Sequence, residues 1–103
     1  MKNNCFILVP SLDFQGLPVD NQEVLEYVKL QMTELFGGCN YHPLSGCYKA
    51  NSGMIICETN IKVESFADNL RNLGKFIELA LFVKDKLSQE CVAICVNGEL
   101  KLV

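Results

Sequence analysis

Apolar and polar positions along this chain alternate, then cycle, in an order that predicts strand, helix, two strands, helix and strand. The run Cys5–Val9 is β-rich and stops at Pro10, which lacks the amide hydrogen a ladder needs. Ser11–Val19 carries Gly16 and Pro18 and predicts a loop. Asp20, with Glu23 three residues on, predicts a capping box that opens a helix. Val24, Leu25, Val28, Met32, Leu35 and Phe36 then recur at helical spacing, and Gly37-Gly38 predicts the stop. Cys39–His42 predicts a strand that bends over Pro43–Gly46 and resumes over Cys47–Ala50. Asn51-Ser52-Gly53 predicts a tight turn, and Met54–Val63 a long strand. The second helix is expected to start near Ser65, capped by Ser65 with Asp68. Its predicted buried stripe is Phe66, Leu70, Leu73, Ile77, Ala80 and Leu81, interrupted by Gly74. Cys91–Val96 predicts a strand, Asn97-Gly98 a hairpin turn, and Leu100–Val103 a short last strand.

That order predicts one α+β domain over residues 1–103. Its fold class is ferredoxin-like: a β-α-β-β-α-β antiparallel sheet with two helices on one face and an extra short C-terminal strand. Strands one and three fall in the middle. The faces of the sheet carry a second expectation. Phe6 and Leu8 oppose Cys5, Ile7 and Val9, while Cys91, Ala93 and Cys95 oppose Val92, Ile94 and Val96. A sheet with one wet face alternates apolar with polar, and these strands are apolar on both sides. Two helices cover one face. The other is expected to be covered by a second copy, as a homodimer or higher homo-oligomer.

Composition narrows the partners. The chain has 103 residues, half of them apolar, and a net charge of −3 with no cluster of Lys or Arg. A nucleic-acid footprint or an anionic membrane surface needs a basic patch, so neither partner is expected. The apolar run near the N-terminus is too short for a transmembrane helix or a signal peptide. The expected location is therefore cytoplasmic, where six cysteines read as thiols.

Three stretches, LDFQGLPVDNQEVLEYV, FGGCNYHPLSGCYKANSGMIICET and FVKDKLSQECV, together resemble a group of small bacterial and phage-type α+β proteins of unknown function. That group has a glycine-rich break after the first helix, and a glycine-aromatic hairpin entering a long strand that carries a glutamate. A Lys-x-x-(Phe or Leu)-x-Gln-(Glu or Ser) run precedes its last strand. The matches here are Gly46, Tyr48, Gly53 and Glu58, then Lys84 to Glu90, with Tyr48 where tryptophan is usual. The resemblance implies a ferredoxin-like fold and carries no reaction with it.

Candidate chemistry concentrates between Phe36 and Asn60, which hold three of the cysteines and the only histidine. Cys39, His42 and Cys47 are zinc-type ligands, but they lack the paired spacing of a structural site, and no metal is expected. Cys91 and Cys95, four apart on a strand, would sit about 13 Å apart, beyond the ~7 Å reach of a disulfide. His42 near Cys39 or Cys47, with Glu58, is the one nucleophilic arrangement available, without a recognisable nucleophile signature. Gly37-Gly38 lies at a helix C-terminus, the wrong end for a phosphate cradle, so no cofactor is expected. Tyr41, His42, Ser45, Tyr48, Lys49, Asn51, Glu58 and Arg71 remain as a binding surface of aromatic faces, donors and a few charges.

The sequence thus predicts a non-enzymatic protein that binds a small polar or anionic molecule, a nucleotide-derived signal of phage anti-defence type being one candidate. One alternative is an enzyme of the dimeric α+β barrel kind using His42 or a cysteine. Another is a protein-interaction module.

Overall fold

In the computed structural model, which describes residues 2–103, the elements are β1 (Asn3–Val9), α1 (Gln22–Phe36), β2 (Asn40–Lys49), β3 (Ile55–Ala67), α2 (Leu73–Lys86), β4 (Ala93–Val96) and β5 (Glu99–Leu102). One antiparallel sheet runs in the order β2-β3-β1-β4-β5, with β1 and β3 central. Both helices pack on one face. The fold is the ferredoxin-like α+β arrangement, extended by β5.

The core is the helix side of the sheet closed by apolar stripes. Cys5, Ile7 and Val9 of β1, Val63 of β3 and Ile94 of β4 meet Val24, Val28 and Met32 of α1 and Phe76, Leu79, Ala80 and Val83 of α2. The buried Ser65 hydroxyl donates to the Gly38 carbonyl at 2.7 Å, so its polarity is satisfied.

Several local expectations are corrected. The first helix has Asn21, not Asp20, as N-cap, and no side chain caps it. Asn21 Nδ2 instead donates to the Pro10 carbonyl at 2.9 Å, and Asp20 accepts only from the Gln22 amide at 3.1 Å. β2 does not bend over Pro43–Gly46. It pairs with β3 without a break from Asn40 to Lys49, because as an edge strand it can leave one side of its backbone unpaired. Ser65, Phe66 and Ala67 belong to β3 rather than the second helix, since β1 pairs with β3 as far as Asn3↔Ala67. With α2 starting at Leu73, Phe66 and Leu81 are exposed, and Phe76, Leu79 and Val83 are buried in their place, beside Ala80, which is buried as expected. Two stops stand as expected. Gly37 closes α1 at φ 92°, and Asn97-Gly98 turns the β4–β5 hairpin at φ 51° and 83°.

Beyond the Val9↔Ile61 pair, β1 ends while the β2–β3 ladder continues to Lys49↔Ile55. Leu44–Lys49 and Ile55–Asn60 therefore form a two-stranded ribbon projecting from the body. The molecule is 41 Å along its longest axis. Cys47 and Cys57 face each other across this ribbon and are joined as a disulfide, which corrects the all-thiol expectation. Direct opposition on paired strands brings their α-carbons to 4.0 Å, which no spacing rule could reveal without the register. The other four cysteines are free.

Candidate functional site

The open face of the sheet is apolar at its two sides and polar along its middle. Phe6 and Leu8 of β1, Leu44 and Tyr48 of β2, and Leu100 and Leu102 of β5 point away from the helices. Between them β3 lays a polar row of Glu58, Asn60, Lys62 and Glu64. Lys62 and Glu64 satisfy one another and their neighbours. Lys62 Nζ is 3.7 Å from Glu64 and 4.5 Å from the Phe6 ring centre, and Glu64 also accepts from Asn4 Nδ2.

Glu58 and Asn60 do not. Glu58 Oε2 and Asn60 Oδ1 are both shielded from solvent, and neither has a hydrogen-bond partner. Burial pushes the Glu58 carboxyl above its ordinary range, partly opposed by the Leu12 backbone. Both side chains point into a cavity of about 390 Å³ at the end of the sheet. β1 contributes Leu8 and its following Pro10, the ribbon contributes Tyr48, Glu58 and Asn60, and the last strand contributes Leu102. The loop Leu12–Phe14 and the segment Gln89–Ala93 complete the walls.

The loop is built to hold its place. Asp13 Oδ1 accepts from the Gln15 and Leu17 amides, both at 2.9 Å, the local turn chemistry that aspartate favours. The Phe14 amide donates to the Ser88 carbonyl at 3.0 Å. Gln89 Nε2 donates to the carbonyls of Leu12 at 2.6 Å and Leu87 at 2.8 Å, which stitches the two walls together.

Of the eight residues singled out from the sequence, the structure brings Tyr48 and Glu58 into the cavity. Tyr41 lies on the helix side, its ring 4.0 Å from Lys29 Nζ. His42 is exposed opposite Lys62. Ser45 is bonded to the Thr59 hydroxyl at 2.9 Å, Lys49 ends the ribbon, and Asn51 sits in its turn. Arg71 lies in the turn before α2, exposed. Asn60, Asp13 and Gln89 are the residues sequence reasoning passed over. The polar row at alternate positions of β3, beside the apolar open face of β1, was the available signal for Asn60. Among the described residues, no three His, Cys, Asp or Glu side chains gather as metal ligands. Cys47 has its sulfur in the disulfide, and the Cys39 thiol lies 3.6 Å from the Lys29 carbonyl.

The same architecture occurs in solved structures. A phage SAM lyase in complex with S-methyl-5'-thioadenosine superposes over 99% of this chain and 88% of its own, with a TM-score of 0.75 and 12% identity. The chain shares its fold with that lyase. The apo form of a phage SAM lyase matches with a TM-score of 0.60 and 14% identity, over 99% of this chain and 86% of the other. The periplasmic divalent cation tolerance protein CutA from Archaeoglobus fulgidus matches with a TM-score of 0.56 and 20% identity, over 93% of this chain and 81% of its own. No family model matches the chain, and neither does any curated protein. At these identities the likeness is one of fold, and the chemistry rests on the cavity's own residues. Its lining carries Asp13, Glu58 and Glu90 and no Lys, Arg or His.

Proposed function

We propose that this chain binds a small nucleoside bearing a thioether or sulfonium group, of the S-methyl-5'-thioadenosine class, in the cavity between ribbon, loop and sheet end. The observation that carries the reading is the pair of shielded, unpartnered acceptors, Glu58 Oε2 and Asn60 Oδ1. Buried acceptors left without donors are costly, and a ligand that brings donors to this cavity would answer them. An exocyclic amine or a ribose hydroxyl supplies one. A cavity near 390 Å³ is within the usual range for small-molecule sites, and Tyr48 offers a face for a base to lie on. The phage SAM lyase that shares this fold holds S-methyl-5'-thioadenosine, which supports the same ligand class here.

The charge of the lining refines the ligand. Three carboxylates with no cation disfavour a phosphate, so the anionic part of the sequence-based expectation gives way to a neutral or cationic nucleoside. Sequestration of such a molecule, without turnover, is the first form of the proposal.

A second form is turnover. Glu58 combines partial burial, a raised carboxyl and a position on the cavity wall, the combination found at acid–base groups. It is a better placed candidate than His42, which is exposed on β2 opposite Lys62 and outside the cavity. In that form the Glu58 carboxylate would take a proton from the carbon next to the sulfonium-bearing carbon of the SAM amino-acid chain. A C=C bond would form as the C–S bond breaks, and S-methyl-5'-thioadenosine and an unsaturated amino acid would leave.

Isothermal titration with S-methyl-5'-thioadenosine, SAM and AMP tests the binding, and chromatography of the SAM mixture tests the turnover. The thioether and sulfonium nucleosides are expected to bind at least about tenfold more tightly than AMP. No heat from any of the three would sink the proposal. A thioadenosine peak growing with time would select the lyase form.

A further inference from the structure

We propose that the Cys47–Cys57 disulfide is a reversible thiol-exchange switch on the cavity, a proposal that rests on the nucleoside-binding reading above. The bonded residues are the chain neighbours of two cavity residues, Tyr48 and Glu58. Their rung lies between the pairs Gly46↔Glu58 and Tyr48↔Ile56, so it fixes the relative register of the two side chains that the ligand would meet. A slip of β2 by one residue against β3, which β1 anchors, would turn Tyr48 off the cavity face and away from Glu58.

The rest of the ribbon has little to hold it. No third strand flanks it beyond Val9↔Ile61, and none of its residues is fully buried. Two-stranded hairpins are marginal in water without a packed face. The Ser45–Thr59 hydroxyl contact is a modest addition. Cys47 and Cys57 are themselves exposed, within reach of a small thiol. By contrast, Cys5 and Cys95 are buried in the body, and burial with a neighbouring Cys95 pushes the Cys5 thiol up and away from reaction.

The exchange is balanced by a low-molecular-weight thiol such as glutathione. Its thiolate attacks one sulfur, the Sγ–Sγ bond breaks, and a mixed disulfide and one protein thiolate result. A second thiolate releases oxidised glutathione, and protons from solvent complete two protein thiols. Oxidised glutathione drives the reverse. Reduction lets the ribbon fray, so the fraction of molecules with Tyr48 and Glu58 in place falls, and apparent affinity falls with it.

Hydrogen exchange on the full chain, oxidised by oxidised glutathione or reduced by dithiothreitol, tests the ribbon directly. Amides of residues 44–60 are expected to exchange about tenfold faster after reduction, with those of β1 and α2 unchanged. Titration with S-methyl-5'-thioadenosine is expected to weaken by roughly three- to tenfold. The Cys47→Ser/Cys57→Ser double variant should match the reduced protein and ignore dithiothreitol. Equal ribbon exchange in both forms, or failure of oxidised glutathione to close the bond, overturns the switch even where the nucleoside binds. Faster ribbon exchange with no nucleoside binding in either form instead overturns the binding reading, and with it the control of affinity.

Discussion

Glu58 and Asn60 stand two residues apart on the open face of β3, each presenting a shielded oxygen to which no group of the protein donates. The pairing is unlike that of Lys62 and Glu64 further along the same row, which answer one another. Removing the Glu58 charge while keeping its shape separates the two roles of the site. Glu58→Gln is expected to raise Tm by a few degrees, ~1 kcal/mol being worth roughly 4–8 °C at this length. The same change should weaken binding of the thioether nucleoside by about tenfold or more. Calorimetric unfolding and titration on one preparation check both. Such opposed signs mark a residue kept for a ligand at some expense of stability.

Acidity gives a second prediction. The folded state holds the Glu58 proton more tightly than the unfolded chain, because burial raises the carboxyl from its ordinary value of 4.5. The folded state then binds more protons in that window, so this residue's contribution is complete below 4.5 and is lost as pH rises through the folded value. Urea midpoints measured from acid to neutral pH should fall across that window in the wild type by more than in Glu58→Gln. Parallel curves would remove Glu58 as the cause.

Much of the architecture was legible because its signals are local. Gly37 and Asn97-Gly98 end their elements by conformations only a few residue types tolerate, and alternation marked both faces of β1 and β4. The misread places are those where pairing overrode a local signal. Ser65 with Asp68 resembles a helix start, but β1 continues to Asn3 and draws β3 on to Ala67. Pro43 looks like a break until β2 proves to be an edge. The cavity was legible only through Tyr48 and Glu58. Its other wall depends on Gln89 reaching Leu12 across 77 residues, and the disulfide depends on the β2–β3 register. Neither long-range contact leaves a pattern in a single sequence.

Gln89 itself carries a prediction. Its amide serves two carbonyls, that of Leu12 in the loop across the cavity and that of Leu87 at the end of α2. Gln89→Leu keeps the bulk and removes both donors. Leaving those carbonyls unanswered is expected to cost about 1–2 kcal/mol. It should also free the Leu12–Phe14 loop, seen as faster amide exchange at Phe14, whose bond to Ser88 depends on the same approach. Ligand affinity should fall with it. A stability loss without any change at Phe14 would make Gln89 an ordinary packing residue.

The last expectation concerns what lies over the open face. Leu100 and Leu102 of β5 are 61% and 66% exposed, and Leu44 and Tyr48 of the ribbon are 41% and 54% exposed. Apolar groups at this density border the mouth of the cavity, since Tyr48 and Leu102 both line it. Monomers seldom leave such a patch bare. A second copy of the chain, seated face to face, would cover it and shut the mouth from water, where the unpartnered acceptors would gain most from a ligand donor. Light scattering on the eluting protein is therefore expected to give a mass above that of one chain. Leu100→Glu with Leu102→Glu should lower it to one chain with little change in the far-ultraviolet spectrum, because both side chains lie outside the helix-side core. Binding of the thioether nucleoside should weaken in the same variant. A wild-type chain that elutes as a monomer and binds the nucleoside unaided would show that the face needs no cover.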